Sequence, residues 1–258
     1  MNAGFVDTHC HFDFAPFSGD EAQSLRLAAA AGVEKIIVVG VAASRFTGVM
    51  TLADRWPPLY AALGTHPMAM AEYDDSSLQR LEDYLKQRPQ KLVAIGEIGL
   101  DLFIADPQFD KQLAALDAQL RLARDYDLPV ILHSRRTHDK LAMALRKFSL
   151  PRRGVVHGFA GSEQQALAFI RAGYAIGVGG TITYPRASKT RHAIARLPLS
   201  ALLLETDAPD MPVQGFQGEP NRPERVRMVW QSLCEIRPES PQEIAETLRE
   251  NTRRVFGI

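Results

Sequence analysis

Two rhythms alternate along the chain. Short β-branched or apolar runs recur at Gly4 to His9, Lys35 to Gly40, Leu59 to Gly64, Leu92 to Glu97, Pro129 to His133, Gly154 to His157, Tyr174 to Val178 and Ala201 to Thr206. Longer amphipathic stretches separate them, such as Glu21 to Ala31, Ser76 to Arg88, Gln108 to Asp127 and Glu163 to Ala172, the last with Ser162 as its cap. Runs of the first kind fit strands buried on both faces, and a helix after each gives repeated βα units around a parallel sheet. Eight such units predict an α/β fold closed into a (β/α)8 TIM-type barrel. Two further helical patterns between Pro223 and Ile258, broken at Arg237-Pro238 and Ser240-Pro241, are expected to complete the outer ring. The segment from Pro209 to Pro223, rich in Pro, Gly and Gln, reads as a long active-site loop.

Composition narrows the picture. The chain has 258 residues and is 46% hydrophobic, enough for one large core and close to the roughly 250 residues of such a barrel, so a single domain over residues 1–258 is expected. Thirty basic residues balance thirty acidic ones, which excludes a broad positive field for long duplex or an anionic membrane, and any phosphate contact has to be local. Phe5-Val6-Asp7 is reached without a basic leader or a long apolar segment, and no apolar run approaches a membrane span, so a cytoplasmic protein is expected. Cys10 and Cys234 are expected to be reduced thiols. Nothing in the sequence calls for an obligate protein partner.

Candidate chemistry gathers at the C-terminal ends of the predicted strands, where a barrel of this kind builds its active site. The first run ends in His9-Cys10-His11, the third is followed by His66, the fourth ends in Glu97, the fifth in His133 and the sixth in His157, and Asp207 follows the eighth. A period of two along an extended chain puts His9 and His11 on one face and Cys10 on the other, where it packs under a helix. Glu97 closes the apolar run Leu92-Val93-Ala94-Ile95-Gly96, where an unpaired carboxylate is costly and a cation relieves the cost. Its two oxygens suit a bridge between two ions. Neutral imidazoles with carboxylates suit zinc, manganese or iron and, less readily, magnesium. His9, His11, Glu97, His133, His157 and Asp207 are therefore the expected metal ligands.

Three blocks then carry a resemblance: Phe5-Val6-Asp7-Thr8-His9-Cys10-His11-Phe12-Asp13, Leu128-Pro129-Val130-Ile131-Leu132-His133-Ser134-Arg135 and Leu202-Leu203-Leu204-Glu205-Thr206-Asp207-Ala208-Pro209. With Gly64-Thr65-His66-Pro67, Gly96-Glu97-Ile98-Gly99-Leu100-Asp101 and Val156-His157-Gly158-Phe159-Ala160-Gly161-Ser162, the chain resembles, nearly end to end, the TatD family of metal-dependent hydrolases and deoxyribonucleases among the amidohydrolase-like barrels. The resemblance implies two divalent cations, one with His9, His11, Glu97 and Asp207 and the other with Glu97, His133 and His157. It also implies phosphoester hydrolysis, the substrate being a small phosphoester or a single-stranded nucleic acid end. The chain departs from the family near the substrate: Leu102 stands where a Tyr often follows Gly-Leu-Asp, Gly158 replaces a Cys, and Pro220-Asn221-Arg222-Pro223 replaces Arg-Asn-Glu-Pro.

Water activated by the ions would attack phosphorus, with Asp207 as proton acceptor. Arg135 and His66 are expected to contact substrate and not metal, Arg135 through its planar fork; the alternative for Arg135 is an ion pair with Asp139 or Glu163. Asp101 either orients a ligand histidine or caps its loop. His138 and His192 fall on predicted helices and are expected to be solvated. Arg136, Arg186, Lys189, Arg191 and Arg222 are candidates, with Arg135, for a local nucleic-acid groove. Two other functions compete: a two-metal amidohydrolase acting on a cyclic amide, lactone or other carbonyl substrate, disfavoured by the lack of a strand-end lysine, and a non-catalytic metal-binding scaffold.

Overall fold

The computed structural model describes residues 4–258. Eight strands, β1 (Phe5–Cys10), β2 (Val33–Val39), β3 (Leu59–Leu63), β4 (Leu92–Asp101), β5 (Val130–Arg135), β6 (Gly154–Val156), β7 (Ala175–Val178) and β8 (Leu202–Leu204), pair in chain order and in parallel. The sheet closes on itself where Cys10 bridges Ala208, with Thr8 Oγ1 donating to the Leu204 carbonyl at 3.0 Å and the His11 N–H to the Ala208 carbonyl at 2.7 Å. The expected (β/α)8 barrel is therefore the observed fold. Around it run α1 (Glu21–Ala30), α2 (Phe46–Arg55), α3 (Asp75–Gln87), α4 (Phe109–Asp125), α5 (His138–Leu145), α6 (Glu163–Arg171), α7 (Ser188–Arg196), α8 (Val226–Ile236) and α9 (Pro241–Phe256). No helix among the described residues is long and apolar enough to cross a membrane.

Strand alternation sorts the core into two clusters. Ile36, Val38, Val130, Leu132, Leu202 and Leu204 face the helices, whereas Ile37, Val39, Ile131, Val155 and Leu203 form a separate inner cluster joined by Val255 and Phe256 at the end of α9. Continued by twos, that inner set leads from Ile131 to His133, from Val155 to His157, and from Leu203 to Glu205 and Asp207. The candidate ligands are thus the polar top layer of the barrel interior.

Helix starts follow their local chemistry. Ser162 caps α6 reciprocally with Gln165, as expected for Ser162, and Ser240 accepts the Glu243 N–H at 3.2 Å in front of α9, whose first residue is Pro241. Strand ends shift by a few residues from the sequence reading, and β4 and β8 show why. β4 runs on to Asp101 because Ile98 to Asp101 continue the pairing with Leu132 to Arg135. β8 stops at Leu204, since the Thr206 N–H and hydroxyl are both taken by the Asp7 carboxylate.

Candidate metal centre

At the barrel mouth the two oxygens of Glu97 face different histidines. Oε2 lies 3.1 Å from His9 Nε2 and 3.6 Å from His11 Nε2, while Oε1 lies 2.6 Å from His157 Nε2, 2.9 Å from His133 Nδ1 and 3.3 Å from His66 Nε2. Asp207 Oδ1 completes the first set, 3.3 Å from His9 Nε2 and 3.4 Å from His11 Nε2. The rings of His9 and His157 stack at 3.8 Å, so the two sets share a wall. All six expected ligands converge, from β1, β4, β5 and the ends of β6 and β8.

A divalent cation fits this donor set on a specific observation. His9 Nε2 is fully buried and makes no hydrogen bond, although two carboxylate oxygens lie within 3.3 Å of it. A buried nitrogen aimed at two anions calls for a positive charge between them. Three groupings offer ligand atoms close enough for one ion: His9 with His11 and Asp207, His66 with Glu97 and His133, and His9 with His157 and Glu205.

The side chains of the centre shift one another's ionisation. Burial opposes the charge on Glu97, yet His157, His66, His9 and the hydrogen bond with His133 hold its carboxyl well below the usual carboxylate range. Burial likewise opposes protonation of His11, but Asp207 outweighs it and holds His11 at about 9. Burial and repulsion from His157 push His9 down. Asp207 is kept below its ordinary value, against burial, by His11 and the neighbouring imidazoles. Its backbone sits at φ +60°, a left-handed conformation that Asp tolerates better than most residues, and its N–H donates to the His9 carbonyl at 2.8 Å.

The surrounding shell sets orientation and tautomers. Asp101 takes both roles expected of it: Oδ2 lies 2.9 Å from His133 Nε2, and Oδ1 accepts the Phe103 N–H at 2.7 Å. With Nε2–H donated to Asp101, His133 turns its Nδ1 lone pair into the centre. His66 has the opposite arrangement, its Nδ1 accepting the Met68 N–H at 2.9 Å, which leaves Nε2–H as a donor and fits a substrate contact better than a ligand. Gln112 and Gln119, seven residues apart on one face of α4, exchange hydrogen bonds with the backbones of Asp101 and Thr65 and so pin the ends of β4 and β3.

Four of these partners escape the sequence reading: Asp7, Glu205, Gln112 and Gln119. The period-two rule that pairs His9 with His11 reaches back to Asp7, and from Asp207 it reaches Glu205. Glu205 accepts the Gly158 N–H and lies 3.6 Å from His157 Nδ1. Burial pushes Asp7 up to about 8 in spite of its hydrogen bonds from Thr206 and His9. The glutamines left no signal, since two polar residues on a helix face usually point to solvent.

Among the remaining residues, Arg135 forms no ion pair with Asp139 or Glu163; it stacks on Phe103 at 3.6 Å, and Glu163 pairs with Arg196. Of the other groove candidates, Arg222 pairs with Glu224 at 2.7 Å and Arg191 lies 3.9 Å from Glu235, so a carboxylate offsets the charge of each. His138 corrects its expectation: it is half-buried, edge-on to Phe159 at 5.2 Å and to Phe169 of α6 at 6.3 Å, whereas His192 is exposed. Cys10 is buried in the helix-facing core, with its thiol donating to the Ala208 carbonyl at 3.5 Å, and both cysteines are free.

Comparison with known proteins gives the lineage of this arrangement. Over its full length the chain is 63% identical to an uncharacterized metal-dependent hydrolase, YjjV, of Escherichia coli K12, with all of both chains covered. The crystal structure of E. coli YjjV superposes with a TM-score of 0.98 at 62% identity, again covering both chains entirely. A more distant relative, a 3'-5' ssDNA/RNA exonuclease TatD from Rahnella sp. strain Y9602, is 30% identical over 94% of each chain. The family model described as TatD related DNase matches residues 6–257, and the chain belongs to that family.

Proposed function

We propose that this chain, acting as one hydrolase barrel, is a divalent-metal-dependent phosphoester hydrolase that holds two cations and trims single-stranded nucleic acid ends or smaller phosphodiesters. One observation carries the reading: the Glu97 carboxylate lies between two histidine sets, with one oxygen toward each. His9, His11 and Asp207 would hold one cation with Glu97, and His133 and His157 the other. Zinc or manganese suits the mixed imidazole and carboxylate donors, with magnesium a poorer fit. Such cations lower the pKa of a water and hold a phosphoryl oxygen.

The chain's own residues supply the rest. Asp207, kept ionised and still 17% exposed, takes the proton from the attacking water at its carboxylate. The planar fork of Arg135 holds a phosphate oxygen, and His66 Nε2–H donates to a substrate oxygen beside Glu97. The names of the relatives, a metal-dependent hydrolase and a 3'-5' ssDNA/RNA exonuclease, support the same class of reaction.

The test uses purified protein reconstituted with zinc, manganese or magnesium, assayed on bis(p-nitrophenyl) phosphate, a short single-stranded oligonucleotide, and a panel of lactones and cyclic amides. Metal-dependent turnover of the phosphodiesters, lost in Asp207→Asn and His133→Ala together with bound metal, is expected. Turnover confined to the carbonyl panel, or phosphodiesterase activity and metal content unchanged in both variants, would overturn the reading.

A further inference from the structure

Phe103 has no part in the chemistry so far, yet it is an aromatic ring held 48% exposed two residues beyond Asp101. Its backbone N–H is fixed by the Asp101 carboxylate, which also touches His133. The Arg135 guanidinium carbon lies 3.6 Å from the centre of the ring and that of Arg136 lies 4.6 Å from it. Both arginines are exposed, and neither forms an ion pair among the described residues. The contrast with Arg191 and Arg222, whose charges carboxylates offset, is direct. An aromatic face steadies a guanidinium without cancelling its charge, so its N–H edges remain available to an anion.

Position relates this platform to the metal centre. His133 and Arg135 share one face of β5, two residues and so about 6.6 Å apart along the strand. With one phosphate at the metal centre, Arg135 reaches its outer edge, and Arg136, one residue farther along, is left for the next phosphate of a strand. The basic character continues from there: Lys189, in the first turn of α7, bears electrostatically on His138 at the start of α5, and Arg186, on the loop before α7, is exposed without an ion pair among the described residues. Three of the exposed large apolar side chains, Met68, Phe103 and Met211, stand on the loops after β3, β4 and β8, around the same mouth. A flat ring with unpaired guanidinium groups at the edge of a catalytic mouth suits a nucleobase and the phosphate attached to it, since stacking accepts any base while the cations track the backbone.

We infer that Phe103 and Arg136 form, with Arg135, a subsite for the nucleotide adjoining the scissile bond, which selects an oligonucleotide strand over a simple phosphodiester. This rests on the phosphoester reading above and deepens it: Phe103 and Arg136 become specificity-determining residues for a single-stranded nucleic acid.

The metal-reconstituted protein and its Phe103→Ala, Phe103→Trp and Arg136→Ala variants are compared by kcat/KM on a single-stranded oligonucleotide and on bis(p-nitrophenyl) phosphate, with oligonucleotide binding followed by fluorescence anisotropy across a salt series. The ratio of oligonucleotide to bis(p-nitrophenyl) phosphate kcat/KM should fall about tenfold in Phe103→Ala, mainly through KM, and recover in Phe103→Trp. The salt slope of binding should drop by about 0.7 in Arg136→Ala, the loss of one phosphate contact. Equal losses on both substrates, or a ratio unchanged in Phe103→Ala, would overturn the subsite. Failure of the wild type to bind oligonucleotide while it hydrolyses bis(p-nitrophenyl) phosphate would overturn the subsite and leave the phosphoester reading standing. Binding that depends on Phe103 with no hydrolysis of either phosphodiester would overturn the phosphoester reading, and with it the placement of the subsite beside a scissile bond.

Discussion

His157 Nε2 approaches Glu97 Oε1 to 2.6 Å, the shortest of the contacts that imidazoles make with this carboxylate. The second oxygen is turned toward His9, so Glu97 contacts both histidine sets. Glu97→Gln keeps the shape, removes the charge and turns one bridging oxygen into an N–H donor that repels a cation. Bound metal measured by mass spectrometry should fall below that of every other single ligand variant. The loss of phosphodiesterase turnover should exceed the roughly 10–100-fold typical of disturbing an outer partner. Full metal content in Glu97→Gln would contradict a bridging role.

His11 contributes to the pH dependence of cation uptake, together with His133 and His157, whose pKa values neighbouring carboxylates also raise against burial. In the cation-free centre its pKa stands at about 9 against an ordinary 6.5, after burial has been outweighed by Asp207. A folded value above the unfolded one means that the His11–Asp207 pair stabilises the cation-free protein fully below about pH 6.5, and that this is lost as pH rises through about 9. Cations must displace that proton, so their affinity should rise across the same window. Titration calorimetry in two buffers of different ionisation enthalpy at pH 7.5 should register release of at least about one proton per cation. Affinity independent of pH between 6.5 and 9 would be inconsistent with this pairing.

Asp101 acts on the centre through His133. Its hydrogen bond at 2.9 Å keeps the Nδ1 lone pair of His133 inward, and Asp101→Asn, with an amide group able to flip, loosens that choice. Metal affinity or turnover should drop about 10–100-fold with little change in melting temperature. A drop confined to thermal stability would reduce Asp101 to its loop-capping bond with Phe103.

Gly177 tests the packing behind His157. A Cβ there would stand 2.3 Å from Glu205 Oε2 and 2.9 Å from the His157 Cα, so neither a side-chain swing alone nor a small backbone shift makes room. Gly177→Ala should cost about 1–3 kcal/mol of stability by denaturant titration and should lower turnover, because Glu205 and His157 move together. Wild-type stability in this variant would mean that β7 yields more easily than its buried position implies.

The parts of the centre that could be read in the sequence are those for which strand periodicity and residue type agree. His9, His11, Glu97, His133, His157 and Asp207 each follow an apolar run, and the barrel brings all of them to one end. Less visible was what depends on distant backbone. Gln112 looks like a solvent-facing residue of α4 until Asp101, eleven positions earlier, turns its N–H and carbonyl toward it. The extension of β4 to Asp101 was hidden in the same way, since Gly99 and Asp101 resemble loop residues, and only β5 alongside makes them a strand. His138 reads as solvated on its own helix and is half-buried because Phe159 and Phe169 of α6 lie against it.

The seam between β1 and β8 joins residues almost two hundred positions apart: Thr8 to Leu204, His9 to Asp207, and His11 to Ala208. Those hydrogen bonds also bring Asp207 within reach of His9 and His11. A ribosome that has produced the first half of the chain has released both histidines but not the carboxylate that completes their set. Assembly of the centre therefore waits for synthesis to pass Ala208 and for the first and last strands to dock. Formation of the candidate metal centre is in this way coupled to completion of the barrel.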